Sequence, residues 1–101
     1  MSDPNFDYKK LDDIIHSRIR LAILTALLSA KEGDFNYLKS TVKATDGNLS
    51  VHLRKLEDAN YISANKTFIN RKPNTSYSLT DEGKKAFDEY VKILEKMIRG
   101  E

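Results

Sequence analysis

The sequence predicts a mainly α-helical chain carrying one small β-hairpin, an α+β domain in the order α-α-α-β-β-α. Three observations predict it. Residues 11–59 place leucines and other apolar residues at helical spacing, interrupted by residues that cap helices. Residues 61–79 change character. The β-formers Ile62, Thr67, Phe68 and Ile69 precede a turn-forming run, Asn70-Arg71-Lys72-Pro73-Asn74, and a return strand, Thr75 to Leu79. Residues 80–99 then resume helical periodicity. A chain of 101 residues, 40% hydrophobic and 32% charged, has the size of a single domain, expected over residues 8–99.

The elements follow in order. Leu11 to Ala30 reads as helix with a break near His16-Ser17, where the Ser17 hydroxyl can accept from an unpaired backbone N–H. Leu21, Leu24, Leu27 and Leu28 share one face, and Ile19, Ala22, Ile23 and Ala26 cover much of the rest. A helix apolar nearly all round is buried on several sides. Gly33 is expected to end this unit. Asn36 is placed to cap a short helix, Tyr37 to Lys43, with Leu38 and Val42 inward. Thr45 caps the next, Asp46 to Ala59, whose inward stripe is Leu49, Leu53 and Leu56. Asn60 stands where a helix can end left-handed, a conformation Asn tolerates better than most residues. Thr80 caps the last helix, with Asp81 and Glu82 in its first turn, where the helix dipole favours negative charge. The connection from Lys43 to Thr45 leaves room only for a tight turn. Helices joined this way form a helix-turn-helix, and the hairpin that follows is a wing.

Composition narrows the function. With no cysteine, disulfides, thiolate zinc sites and cysteine nucleophiles are excluded. The two histidines, His16 and His52, lie in different elements and show no HExxH-type spacing, so no catalytic residue, metal ligand or cofactor is assigned. The most apolar stretch, Ile19 to Ala30, is broken by Arg20 and Thr25 and falls short of the roughly 20 apolar residues of a membrane span. The chain opens without a secretory-signal pattern, so a cytoplasmic protein with no membrane partner is expected. Net charge is only +2, but residues 61–79 hold Lys66, Arg71 and Lys72 with no acidic residue. A local basic patch is what phosphate attracts.

With Leu49 at zero and about 100° per residue, Leu53 and Leu56 fall beside it. Gly47, Ser50, Val51, Arg54, Lys55 and Asp58 point away. Such a surface suits a major groove. Gly47 permits close approach, Ser50 can bond a base edge or phosphate, Val51 can touch a thymine methyl, and Arg54 can fork onto guanine. Thr45 and the free N–H groups of the helix start can hold a phosphate. His52 is read as a helix-flank residue.

The stretches TDGNLSVHLRKLEDANYI (Thr45 to Ile62), SYSLTDEGKKAF (Ser76 to Phe87) and HSRIRLAILTAL (His16 to Leu27) resemble the MarR/ArsR-type winged helix-turn-helix regulators, in particular the short archaeal and bacterial winged-helix DNA-binding family. The resemblance covers about residues 11–98. It implies a dimeric regulator with the helix 46–59 in the major groove and the wing, 66–75, on the backbone or minor groove. It also implies that Asn48, Ser50, Val51 and Arg54 lie on the recognition helix and Arg71 and Lys72 on the wing. The sequence departs from the pattern at Asn60, where the family usually has Gly. Phe35 to Ser40 also lacks the paired cysteines of the metal-sensing members.

On the last helix, Phe87, Val91, Leu94 and Ile98 can close the core. Ala86, Ile93 and Met97 form a second stripe, with Tyr90 between. Leu11, Ile14 and Ile15 add apolar surface at the other end of the chain. This surplus predicts a two-fold dimer, with Leu11, Ile14, Ile15, Tyr90, Ile93 and Met97 at its interface. The partners expected are therefore double-stranded DNA with a pseudo-palindromic site and a second copy of the chain. Nothing in the sequence identifies a small-molecule effector. The rival reading is a winged helix used for protein–protein interaction without DNA binding. RNA binding would call for an exposed aromatic platform, whereas Tyr61, Phe68 and Tyr77 alternate with polar residues and read as core-facing.

Overall fold

The computed structural model describes residues 7–100. A 3-10 turn at Tyr8–Lys10 leads to α1 (Arg18–Ala30), β1 (Glu32–Asp34), α2 (Phe35–Val42), α3 (Asp46–Asp58), β2 (Ile62–Ile69), β3 (Lys72–Leu79) and α4 (Asp81–Arg99). The expected order is present, with one strand added.

Ser17 caps α1 as expected, accepting from the Arg20 N–H. Residues 11–16, by contrast, are not helical. The Asp12 carboxylate accepts from the backbone N–H groups of Ile14 and Ile15, at 2.8 and 3.1 Å. That local bond competes with helix and turns the chain instead. Lys31, at φ 72°, rather than Gly33, ends α1. Asp34, not Asn36, caps α2, accepting from the Tyr37 N–H at 2.8 Å. Gly33 lies within β1, which pairs antiparallel with Ser76–Ser78 of β3. A three-residue strand of sequence Glu-Gly-Asp has no apolar alternation to reveal it.

The sheet order is β1-β3-β2, all antiparallel. Its hairpin turns through Asn70 and Arg71 alone, at φ 52° and 66°. This two-residue loop with both φ angles positive matches the right-handed twist of the strands it joins. The expected turn over 70–74 was too long. Lys72 pairs with Ile69 and Pro73 with Phe68 inside the ladder. Pro73 is tolerated there because β1 reaches only Ser76–Ser78, so this end of β3 has a single neighbour.

The core is built from Ile15, Ile23, Leu24, Ala26, Leu27, Leu38, Leu49, Leu53, Leu56, Ile62 and Tyr90. Leu28, expected inward, is half exposed, and Ile23 and Ala26 take its place. Phe87, Val91 and Leu94 pack on this core from α4, but Ile98 is 77% exposed. At about 28 Å, α4 is long enough to run past the body it closes.

The start of α4 is locked to the end of α3. Asn60 is left-handed, φ 62°, as expected. The Thr80 hydroxyl donates to the Asn60 carbonyl at 2.7 Å and accepts from the Gly83 N–H at 2.9 Å, while the Thr80 N–H donates to the Tyr61 carbonyl. Gly83 packs so closely that a Cβ there would stand 2.0 Å from the Tyr61 carbonyl oxygen. The segment before α1 is tied down at three points. Tyr61 donates to the Asp12 carboxylate, His16 Nδ1 and the Tyr90 hydroxyl share a hydrogen bond of 2.8 Å, and Arg20 Nε donates to the Ile14 carbonyl. Burial, and then the bond to Asp12, push the Tyr61 hydroxyl up to about 12. Among the described residues no helix is long and apolar enough to cross a membrane.

Candidate nucleic-acid interface

The surface predicted from Leu49 as origin forms as a unit. Leu49, Leu53 and Leu56 are buried. Burying a leucine contributes about 1.5–3 kcal/mol each, so this stripe fixes which way α3 faces. Thr45 caps the helix, accepting from the Asn48 N–H at 3.2 Å. Lys43, left-handed at φ 57°, makes the tight turn from α2, and Lys39 reaches across it to Asp46 at 2.7 Å. That pair is exposed and adds little stability. It does offset the one negative side chain in the first turn of α3.

Gly47, Asn48, Ser50, Val51, Arg54 and Lys55 are all exposed. Val51, at 54%, is an apolar side chain left in water. Gly47 has no neighbour within 4 Å of where a Cβ would stand, and its φ is not positive. Glycine inside a helix costs about 1 kcal/mol relative to alanine. Nothing among the described residues calls for that cost. Ser50, Val51, Arg54 and Glu57 line an open groove of about 420 Å³ whose other wall is Phe35 and Tyr77. The outward surface of α3 therefore continues onto the sheet.

His52 is on the flank, half-buried, and is engaged by its own chain. The Arg20 guanidinium lies 2.8 Å from its Nδ1. Arginine only donates, so Nδ1 accepts and the imidazole is neutral with its proton on Nε2. Burial first, then the charges of Arg20 and Lys55, push the His52 pKa below its usual value. Arg20 also bonds the Ile14 carbonyl, so one guanidinium joins the segment before α1 to α3.

On the wing, Lys66, Arg71 and Lys72 are exposed. Together with Arg54 and Lys55 they form no ion pair with any described residue. Arg71 occupies a left-handed turn position, where Gly or Asn is preferred. Phe68 is not core-facing. It is 76% exposed, and Ile69 beside it is 55% exposed. Counting the strand could have revealed this, because Phe68 lies six residues past Ile62, roughly 20 Å at a strand's rise per residue. Tyr77 packs against the core and lines the groove. Glu57, also missed, brings a negative charge to the groove's far end.

The residues expected at a dimer interface divide. Ile15 and Tyr90 are buried by their own chain, at 0% and 4% exposure, so surplus apolar surface is not a reason to place them there. Leu11 and Ile14 are half-buried against the core. Ile93 and Met97 are half-exposed on α4, outside the core cluster, with Ile98 beyond them.

Residues 19–98 match the family of winged helix DNA-binding domains. An uncharacterized protein of Methanocaldococcus jannaschii is 37% identical over 78 residues, which cover 77% of this chain and 85% of that protein. A transcriptional regulator homologue from Pyrococcus horikoshii superimposes with a TM-score of 0.80 at 29% identity, over 86% of each chain. PadR of Bacillus subtilis, solved in complex with operator DNA, gives a TM-score of 0.61 at 25% identity over 70% of this chain and 46% of PadR. MarR-type and ArsR-type regulators share the fold as well.

Proposed function

This chain belongs to the family of winged helix DNA-binding domains, and from that premise we propose that it binds double-stranded DNA sequence-specifically as a homodimeric transcriptional regulator. The helix from Asp46 enters the major groove. There Arg54 pairs with guanine or phosphate, Ser50 and Asn48 bond base edges or phosphate, and Val51 meets a thymine methyl. Thr45 and the open N–H groups of the first turn hold a phosphate. Lys55, Lys66, Arg71 and Lys72 neutralise the backbone on either side.

One observation carries this reading. The first turns of α3 present Gly47 and Val51 to solvent, a helix-weakening residue and an apolar one, where neither serves the chain's own packing. Close approach of a duplex accounts for both. The dimer rests on α4. Its contacts with the core cluster extend to Leu94, while Ile93, Met97 and Ile98 remain to meet a second copy together with Leu11 and Ile14. A two-fold pair would set two recognition helices about 34 Å apart, one turn of DNA.

Selection from a random duplex pool, followed by binding titrations over salt, tests it. The expected result is a pseudo-palindromic site whose affinity falls steeply with salt. Arg54→Ala should cost about 1–3 kcal/mol on the selected site and less on random DNA, whereas Lys72→Ala should weaken both alike and lower the salt slope by about one. Equal losses for Arg54→Ala on both DNAs would remove its base-reading role. Absent or salt-insensitive duplex binding would hand the fold to protein recognition instead.

A further inference from the structure

The wing carries a feature that phosphate binding leaves unexplained. Phe68 is 76% exposed near the end of β2, opposite Pro73 and three residues before Arg71 of the turn. An exposed phenylalanine adds nothing to counterion release and leaves apolar area in water. Its direction is set by the ladder. Residues alternate faces along a strand, so Phe68 shares its face with Lys66, Ala64 and Ile62, and across the register with Pro73, Thr75 and Tyr77. Tyr77 on that face lines the groove with Ser50, Val51 and Arg54. Phe68 therefore lies on the side of the hairpin that α3 occupies, farther out along it.

We propose that Phe68 is an apolar wedge that enters the minor groove at the wing's landing point, backed by Pro73, and kinks the duplex by partly unstacking a base step. The proposal rests on the DNA-binding reading above and deepens it: the wing would read how easily DNA deforms. Charge selects the occupant. The hairpin bears Lys66, Arg71 and Lys72 and no acidic residue from 61 to 79, so every charged group of the hairpin near the wedge is one that phosphates attract. A second copy of the same tip would bring like charges together. Phe, Ile and Pro are residue types that minor-groove proteins insert between base steps, at a cost of a few kcal/mol per step that wider contact repays. Pyrimidine–purine steps yield most easily. The selected site should therefore carry TA or CA/TG steps where each wing lands.

The test compares the full chain with Phe68→Ala, Phe68→Leu and Arg71→Ala on an end-labelled duplex bearing the selected site. Energy transfer reads the bend, and titration at several salt concentrations reads affinity. The wild type should bend the duplex by about 20–90°. Phe68→Ala should bind about 5- to 100-fold more weakly, on the scale of an aromatic–base contact. Its salt slope should be unchanged, its DNA straighter, and its selected pool without the flexible steps. Phe68→Leu should keep part of the bend, and Arg71→Ala should lower the salt slope. Phe68 is outside the core, so thermal unfolding should match across the variants. If the wild type binds and Phe68→Ala binds and bends equally well, the wedge is refuted while DNA binding stands. Dissociation of a dimer by Phe68→Ala would refute it in favour of self-association. If the wild type binds no duplex at all, the DNA-binding reading fails and the wedge with it.

Discussion

Gly83 and Gly47 both lie in the first turns of helices, three and two residues past a capping threonine, and their surroundings are opposite. Around Gly83 the backbone of Tyr61 fills the space any side chain would need, and Thr80 bonds both sides of the junction. Around Gly47 there is nothing. The same contrast runs through the molecule. In the body, Asp12, Tyr61, His16, Tyr90, Arg20 and His52 are engaged with one another or with backbone carbonyls. On the outer face of α3 and on the wing, Arg54, Lys55, Lys66, Arg71 and Lys72 form no ion pair among the described residues, Val51 and Phe68 are in water, and Arg71 holds a conformation better suited to glycine. Residues that satisfy one another explain a fold. Residues that cost stability without return inside the chain point to contact with something outside it.

The contrast can be broken experimentally. Gly83→Ala should be the most damaging change, because a methyl group cannot share space with the Tyr61 carbonyl. A loss of about 2–4 kcal/mol is expected, readable as a fall in Tm of about 4–8 °C per kcal/mol. An unchanged Tm would show that the α3–α4 junction yields. Gly47→Ala should do the reverse, raising stability by about 0.5–1 kcal/mol while weakening DNA binding. If affinity is untouched, close approach at Gly47 is wrong. Asn60→Gly relieves a left-handed side chain at the price of a freer unfolded chain, so a shift of a few tenths of a kcal/mol is expected in urea unfolding.

The smallest effect should come from His52. Its folded pKa is depressed, so the folded state binds fewer protons than the unfolded chain. Its contribution is then fully present above the unfolded value of about 6.5 and is lost as pH falls toward the folded value. Urea unfolding between pH 7.5 and 5 should show that decline, and His52→Gln should flatten it. An identical pH profile in the variant would mean that the Arg20 contact is not coupled to folding.

Much of this molecule was legible in residue order. Ser17, Thr45 and Thr80 cap helices as their chemistry predicts, Asn60 turns left-handed, and Leu49, Leu53 and Leu56 face the core, because caps and periodicity are local physics. From those leucines alone the outward set of α3 follows by subtraction. What failed was decided at long range or by competition. Asp12 drew residues 11–16 out of helix. β1 exists only because β3, more than 40 residues away, offers it an edge. Leu28 and Ile98 are apolar but point where the body has no wall.

The sequence by itself determined the helical and strand periods, the starts of α1, α3 and α4 and the basic character of the wing, since each depends on neighbours within one or two turns of chain. Tertiary structure alone decided that Gly83 must be glycine, that Ile15 and Tyr90 are consumed by the core, and that Phe68 is left bare. Burial depends on which surfaces meet, and alternation along a strand cannot say where the opposing surface stops.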